Sequence, residues 1–126
     1  VVEHKTETKC YDYVLSRFPD AIREYSSEEY PFPCDFYVPS DDLYIELNVF
    51  WTHGGHYFDK NDINDVKKLE IWKAKNTKNY DYAIRVWTVK DLEKKHIAEK
   101  NNLNYLVFWS VKELKDFCCK TNLNMI

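Results

Sequence analysis

The sequence predicts an α/β domain in which a mixed central sheet is flanked by helices. Two observations support this fold class. Segments with helical spacing of apolar residues are interspersed with short strand-like runs, and the elements follow the order α-β-β-β-α-α-β-α. With 126 residues, the chain is long enough for one domain that buries roughly two-thirds of its unfolded surface.

A helix is predicted first, over residues 6–18, because four residues spaced three or four apart share one face: Glu7, Cys10, Val14 and Phe18. A Pro-Asp pair ends this helix. Residues 21–25 (AIREY) form a short predicted strand, and a loop closed by two prolines follows. Residues 35–38 and 43–50 are then predicted to form a β-hairpin around a tight Pro-Ser-Asp-Asp turn.

The second half of the chain is mainly helical in prediction. A helix over residues 62–75 has an expected apolar stripe of Ile63, Val66, Leu69 (or Glu70) and Ala74. Residues 82–89 (YAIRVWTV) look extended, and residues 91–101 form the next helix. Residues 105–109 (YLVFW) are a predicted buried strand, and residues 111–119 a final helix.

Composition excludes several classes of protein. No window approaches the roughly 18 apolar residues of a membrane helix, and no signal-peptide pattern opens the chain, so we expect no membrane partner. The four cysteines include no CxxC pair, which favours a reduced protein of the cytoplasm. Because the chain begins at Val1 rather than Met, we expect a fragment or processed product whose upstream part is missing.

Charge is divided unevenly along the chain. Residues 1–59 hold twelve Asp/Glu and four Lys/Arg, whereas residues 60–126 hold nine and fourteen. An acidic half could gather divalent cations while a basic half meets phosphates. Ordinary solvated charge explains the same asymmetry, so this observation alone does not decide between the two.

The hairpin brings two carboxylates together. If the turn centres on Ser40 and Asp41, Asp35 lies directly across from Glu46, with Cβ atoms ~5 Å apart on one face. Strand alternation puts Asn48 on that face as well, while Leu43, Ile45, Leu47 and Val49 point to the core. Two facing carboxylates repel each other unless a cation such as Mg²⁺ lies between them.

A solvent-facing hairpin with two hydrated acids is the alternative. The neighbouring residues argue against it, because they are apolar or aromatic: Pro33, Cys34, Phe36, Phe50 and Trp51. Acids in such a frame most need a bound ion.

Two histidines follow the hairpin within a few residues. His53 and His56 flank Gly54-Gly55, the only glycines of the chain, where the backbone can turn sharply. One ring could bind the metal, and the other could act as general base or orient the attacking water. Asp59 adds a further possible ligand.

These segments resemble the PD-(D/E)xK nuclease superfamily, and within it the very-short-patch repair endonucleases and the phage homing endonucleases with an EDxHD-type site. PCDFYV and YIELNVFWTHGGH resemble the family's PDF, apolar strand and FWHxxH stretch. VKDLEKKHIAEKNNLNYLVFW resembles the basic helix and core strand of these enzymes. The resemblance covers most of the chain and implies a restriction-endonuclease-like fold and Mg²⁺-dependent DNA cleavage.

Carried onto this chain, the resemblance implies a ligand set. Asp35 is the principal metal ligand, Glu46 the second carboxylate, Glu7 the helix glutamate and Asp59 the terminal acid. His53 and His56 match the histidine pair. Asn48 stands where the superfamily has lysine, a departure shared with the histidine-type relatives. Lys90, Lys94 and Lys95, near a helix start, are expected to contact DNA phosphates, although a solvated helix face explains them too.

We therefore expect an endodeoxyribonuclease domain of a homing or mobile-element enzyme, with Mg²⁺ or Mn²⁺ as cofactor and DNA as partner. The sequence shows no recognition helix with a basic face and no zinc finger, so we expect DNA targeting to belong to the missing upstream domain. A phage-encoded protein in the cytoplasm of a host cell fits this expectation. Double-strand cleavage would need a homodimer. Two alternatives stay open: a binding module that kept the fold and lost the reaction, motivated by Asn48, and a Zn²⁺-dependent metallohydrolase built on the two histidines.

Overall fold

The computed structural model describes the backbone of residues 2–124 and the side chains of residues 4–119. Val1, on which the expected upstream segment rested, lies outside the described residues. Nine helices and strands follow one another in the described part: α1 (Val2–Arg17), β1 (Ile22–Tyr25), β2 (Cys34–Val38), β3 (Leu43–Leu47), α2 (Ile63–Lys75), α3 (Lys78–Arg85), α4 (Asp91–Lys100), β4 (Asn104–Phe108) and α5 (Val111–Asn124).

The four strands form one mixed sheet in the order β1-β2-β3-β4. β1, β2 and β3 are antiparallel neighbours, and β4 pairs parallel with β3. Parallel pairing requires a crossover, which α2, α3 and α4 provide. The predicted α/β class with a mixed sheet is therefore confirmed. The predicted hairpin register is also confirmed, since Phe36 lies opposite Ile45 and Val38 opposite Leu43.

Helices and loops cover both faces of the sheet. On one face, α1 and α5 pack on the predicted core side of β3, and the buried cluster includes Val14, Ile45 and Leu114. On the other face, Tyr44 packs in a second cluster with Ala98 of α4. Every residue of β3 is consequently buried, including Glu46, which the alternation places on the α4 side.

The prediction that residues 82–89 are extended is wrong. These residues continue α3 and then form a π-helical turn, Val86–Lys90, that leads directly into α4. Thr77 caps the start of α3 by accepting a hydrogen bond from Tyr80 N at 3.2 Å. Ala83 and Trp87 are buried against Trp72 of α2. Tertiary packing therefore overrides the strand propensity of the β-branched and aromatic residues in this segment.

The predicted apolar stripe of α2 is wrong at Ile63, Val66 and Ala74, whereas Leu69 packs partly buried against the cluster of Trp72 and Trp87. Ile63 is 67% exposed and Val66 is 38% exposed, whereas Asp65 and Trp72 are buried. Trp72 packs on Trp87, with ring centroids 5.0 Å apart. Asp65 faces inward because its carboxylate is fully engaged by the preceding loop, as described below. Within residues 2–124, no helix has the length and apolar character needed to cross a membrane.

Candidate active site

The ladder between β2 and β3 ends where Asp35 and Glu46 begin, and the two carboxylates take its place. Leu47 N donates to Asp35 Oδ2 at 2.7 Å, and Asp35 N donates to Glu46 Oε1 at 3.1 Å. Each side chain thus accepts a main-chain hydrogen bond from the opposite strand. This exchange fixes the positions of the two carboxylates relative to each other.

The negative charges of Asp35 and Glu46 repel each other. Burial raises the pKa of Asp35 well above its ordinary value, and the neighbouring charge of Glu46 raises it further. The charge of Glu7 adds to the same effect. A proton or a cation is therefore needed to make the pair stable. A hard divalent cation with oxygen ligands fits this donor set, because it would remove the repulsion between the two groups.

Glu7 lies on α1, near enough for its charge to raise the pKa of Asp35. Its Oε1 is 3.5 Å from Nη2 of Arg23 in β1, and both side chains are partly exposed. The helix glutamate predicted from the resemblance is thus close enough to influence Asp35 electrostatically. Arg23 neutralises part of its charge.

A buried tyrosine orients Glu46. Tyr30 OH donates to Glu46 Oε2 at 2.5 Å, and Tyr105 OH lies 3.0 Å from Tyr30 OH. Burial and the charge of Glu46 raise the pKa of Tyr30 above its ordinary value, so this hydroxyl is protonated at neutral pH and can donate to the carboxylate. Sequence reasoning missed Tyr30, which lies in the loop just before β2 and carries no motif signal.

Lys94 supplies a cation at the carboxylate pair. Its Nζ is 3.4 Å from Glu46 Oε2, and the side chain is largely buried. Burial alone would lower the pKa of Lys94, but the carboxylates of Glu46, Asp35 and Asp91 outweigh it and raise the pKa. Sequence reasoning expected Lys94 to contact DNA phosphate and did not connect it with Glu46, because α4 lies far from β3 along the chain.

Asn48 has no described contact with the carboxylate pair. It is buried just beyond β3, and its main-chain N donates to Phe108 O at 2.8 Å. Its side chain lines a separate cavity together with Trp51 and Lys68. The chain therefore brings a positive charge to Glu46 from Lys94 of α4 rather than from position 48.

The two histidines take different acidic partners. His53 Nδ1 is 2.8 Å from Oδ2 of Asp91, which is buried at the start of α4. A neutral imidazole that donates from Nδ1 to a carboxylate leaves the lone pair of Nε2 available, which is the arrangement of an oriented general base. Asp91 is a second residue that the sequence reading did not single out for the site.

His56 belongs to the network that anchors the loop to α2. Its Nε2 is 2.7 Å from Asp65 Oδ1, and its carbonyl accepts from Trp87 Nε1 at 2.8 Å. Asp59 N donates to the other oxygen of Asp65 at 2.9 Å. Gly54 has a φ of 73°, and a Cβ there would overlap the Trp87 indole. Gly54 therefore allows both the turn of this loop and its close packing against Trp87.

Asp59 lies on the same loop. Its Oδ1 accepts from Asn61 N at 2.8 Å, and within the described side chains it has no hydrogen bond to Asp35 or Glu46. Among the described residues, ligand atoms of His56, Asp62 and Asp65 lie within 4.8 Å of one another. Asp62, however, caps α2 through Asn64 N at 2.8 Å. These groups therefore form hydrogen bonds that hold the loop. His53 and His56 contact different carboxylates, Asp91 and Asp65, rather than sharing one.

A cleft of about 330 Å³ opens beside Lys94 and His53. Three of its lining side chains are cationic, and aromatic side chains come from two separate segments. Its lining includes Phe32, His53, Tyr82, Arg85, Lys90 and Lys94. Lys95, by contrast, lies over the ring of Tyr57 at 4.6 Å and lines two other cavities.

Comparison of the chain with protein-family models, with curated proteins and with solved structures finds no match. The described fold and site therefore characterise this protein. It is a small α/β domain in which a histidine–aspartate pair and a largely buried lysine line a basic cleft, and this lysine contacts one member of a buried carboxylate pair.

Proposed function

We propose that this domain is a divalent-metal-dependent endonuclease that hydrolyses phosphodiester bonds of DNA, with Mg²⁺ as the ion and Mn²⁺ as a substitute. The observation that carries the proposal is the Asp35–Glu46 pair, held together by main-chain hydrogen bonds, in which burial and then the charge of Glu46 raise the pKa of Asp35. Strongly perturbed ionisable groups are typical of catalytic sites, and Lys94, which contacts Glu46 at 3.4 Å, lines the neighbouring cleft. The resemblance of the hairpin and the following loop to PD-(D/E)xK nucleases supports the same reading.

Asp35 and Glu46 would hold the ion, with Glu7 close enough to hold a water or a second ion. A bound ion lowers the pKa of a coordinated water and neutralises charge on the attacked phosphate. His53, held by Asp91 at 2.8 Å, accepts a proton through Nε2. Lys94 provides a fixed positive charge next to the phosphate that enters the cleft.

The basic cleft supports a polyanionic substrate. Arg85, Lys90 and Lys94 line it together, and each can contact a phosphate oxygen. Net charge for the whole chain is −3, so affinity would come from this local cluster rather than from the overall field. Cleavage of both strands by a site of this size would require a second copy of the chain.

A binding module without hydrolysis is the second candidate. It is favoured by the hydrogen bonds that already engage the pair: Asp35 and Glu46 accept main-chain N–H groups, and Lys94 pairs with Glu46 at 3.4 Å. In that reading the ammonium of Lys94 neutralises the pair permanently, and the cleft binds nucleic acid without cutting it.

Incubation of supercoiled plasmid with the purified domain, in Mg²⁺ and separately in Mn²⁺, decides between the two. We expect nicking that EDTA abolishes and that Asp35→Asn and Glu46→Gln each reduce at least ~100-fold. Asp116→Asn, which changes an exposed carboxylate on α5, is the matched control and should cut like the wild type. Plasmid that stays supercoiled in both metals at high protein concentration would favour the binding module.

A further inference from the structure

The mouth of the cleft carries an aromatic side chain that the fold does not use. Tyr82, on α3, is 62% exposed although it lines the cleft. The other tyrosine of α3, Tyr80, packs against Trp51 and Trp72. Folding therefore explains Tyr80 and leaves Tyr82 without a structural role in the described part of the chain.

A second aromatic ring lines the same cleft from a different segment. Phe32, in the loop before β2, packs edge-on against Tyr30 with ring centroids 5.0 Å apart. Tyr30 in turn donates to Glu46. A planar group stacked on Phe32 would thus be one side chain, that of Tyr30, away from Glu46. The hydrogen bond to Glu46 fixes Tyr30, and Tyr30 in turn supports the ring of Phe32.

Two cations accompany the exposed ring. Arg85 and Lys90 line the cleft and are exposed, and neither forms an ion pair among the described side chains. Arg85 follows Tyr82 by three residues, so the two side chains are neighbours on the helix surface. The mouth therefore combines one free aromatic face with two free positive charges.

We infer that this cleft takes an unpaired DNA strand, with a base stacked on Tyr82 and flanking phosphates bound by Arg85 and Lys90. Aromatic platforms combined with a basic groove are how proteins bind single strands, because every unpaired base offers a π-face. In an intact duplex the bases are stacked on one another, and an aromatic side chain at the surface gains no such contact. The inference rests on the proposed function and names its substrate class as single-stranded or locally unpaired DNA.

The test is a binding measurement in EDTA, which separates it from cleavage. Fluorescence anisotropy would compare a labelled single-stranded oligonucleotide with the blunt duplex of the same sequence, at one fixed salt concentration. We expect the single strand to bind at least ~10-fold more tightly. Tyr82→Ala should weaken single-strand binding about 5- to 100-fold, the range that stacking of one base spans, while Tyr82→Phe keeps the ring and should bind like the wild type.

Two controls make the result specific to stacking. Ile71→Ala removes an equally exposed apolar side chain, 59% exposed on α2, and should leave binding unchanged. An oligonucleotide with abasic sites should bind wild type and Tyr82→Ala equally, because no base remains to stack. Equal or tighter binding of the duplex, or a Tyr82→Ala variant that binds the single strand normally, would overturn the inference.

Failure of this inference and failure of the proposed function have different signatures. Metal-dependent nicking without a preference for the single strand would remove the inference and leave the nuclease. Single-strand binding that depends on Tyr82, without cleavage of any DNA in Mg²⁺ or Mn²⁺, would support the inference and remove the nuclease.

Discussion

Lys94 of α4 points its ammonium nitrogen at the carboxylate of Glu46 in β3, 3.4 Å away. This contact joins the crossover helices to the centre of the sheet, and it brings a cation to the place where two carboxylates repel each other. The lysine and a divalent cation would therefore compete for the same negative charge.

Lys94→Met should bind Mn²⁺ at the Asp35–Glu46 pair more tightly than the wild type, by about 10-fold, since one charge pair near a protein surface contributes a few kcal/mol at most. The same variant should nick plasmid about 100-fold more slowly, because the cation beside the phosphate is lost. Calorimetric titration and a nicking time course measure the two effects. Lys95→Met, the adjacent lysine that packs on Tyr57, is the control. Weaker metal binding in Lys94→Met would contradict the competition.

Asp35→Asn should stabilise the metal-free protein at neutral pH, by about 1 kcal/mol, as relief of strain at a functional site commonly does. The folded pKa of Asp35 is raised, so the folded state binds this proton more tightly than the unfolded chain. The stability from this group is therefore full below the unfolded pKa of about 4 and is lost as pH rises through the folded pKa. Urea unfolding across this pH range should show a smaller decline for Asp35→Asn than for the wild type.

Tyr30→Phe should lower the free energy of unfolding by about 1–3 kcal/mol, because it removes the hydroxyl donor from the buried carboxylate of Glu46. Tyr82→Phe removes an exposed hydroxyl and should change stability by less than about 0.5 kcal/mol. Chemical denaturation measures both. Equal stability of Tyr30→Phe and wild type would mean that Glu46 is satisfied without Tyr30.

His53→Ala should reduce nicking about 10²- to 10⁴-fold while the protein stays folded, because it removes the base that Asp91 orients. His56→Ala should act differently, lowering stability through the loss of its contact with Asp65. His96→Ala, an exposed histidine of α4, should affect neither property. Nicking rates and circular dichroism melting curves separate these outcomes; a normal rate in His53→Ala would exclude it as the base.

Gly54→Ala should destabilise the fold by about 2 kcal/mol or more, since a Cβ would overlap the Trp87 indole and the residue has a φ of 73°. Gly55→Ala is the matched control. Its φ of 89° is equally unfavourable for a side chain, but no atom lies within 4 Å of the added Cβ. A larger loss of thermal stability for Gly54→Ala than for Gly55→Ala isolates the packing contribution of Trp87.

Some of the site follows from local rules and was predictable. The alternation of strand residues and the tight turn between β2 and β3 determine the hairpin register, which sets Asp35 against Glu46. The spacing of Cys10 and Val14 likewise indicates which face of α1 is buried. These features depend on residues close together in the chain.

The sequence by itself therefore determined the α/β class, the mixed sheet and the opposition of Asp35 and Glu46, because period and turn geometry act over a few residues. Only the tertiary structure decided that residues 82–89 are helical, that His53 and His56 have separate partners, and that Lys94 and Tyr30 meet Glu46. The contacts of His53 with Asp91 and of Lys94 with Glu46 join segments remote in sequence, and the packing of Trp72 on Trp87 holds α2 against the helical turn that leads into α4. Local propensity carries no information about such packing, since it arises only when distant apolar surfaces are buried together.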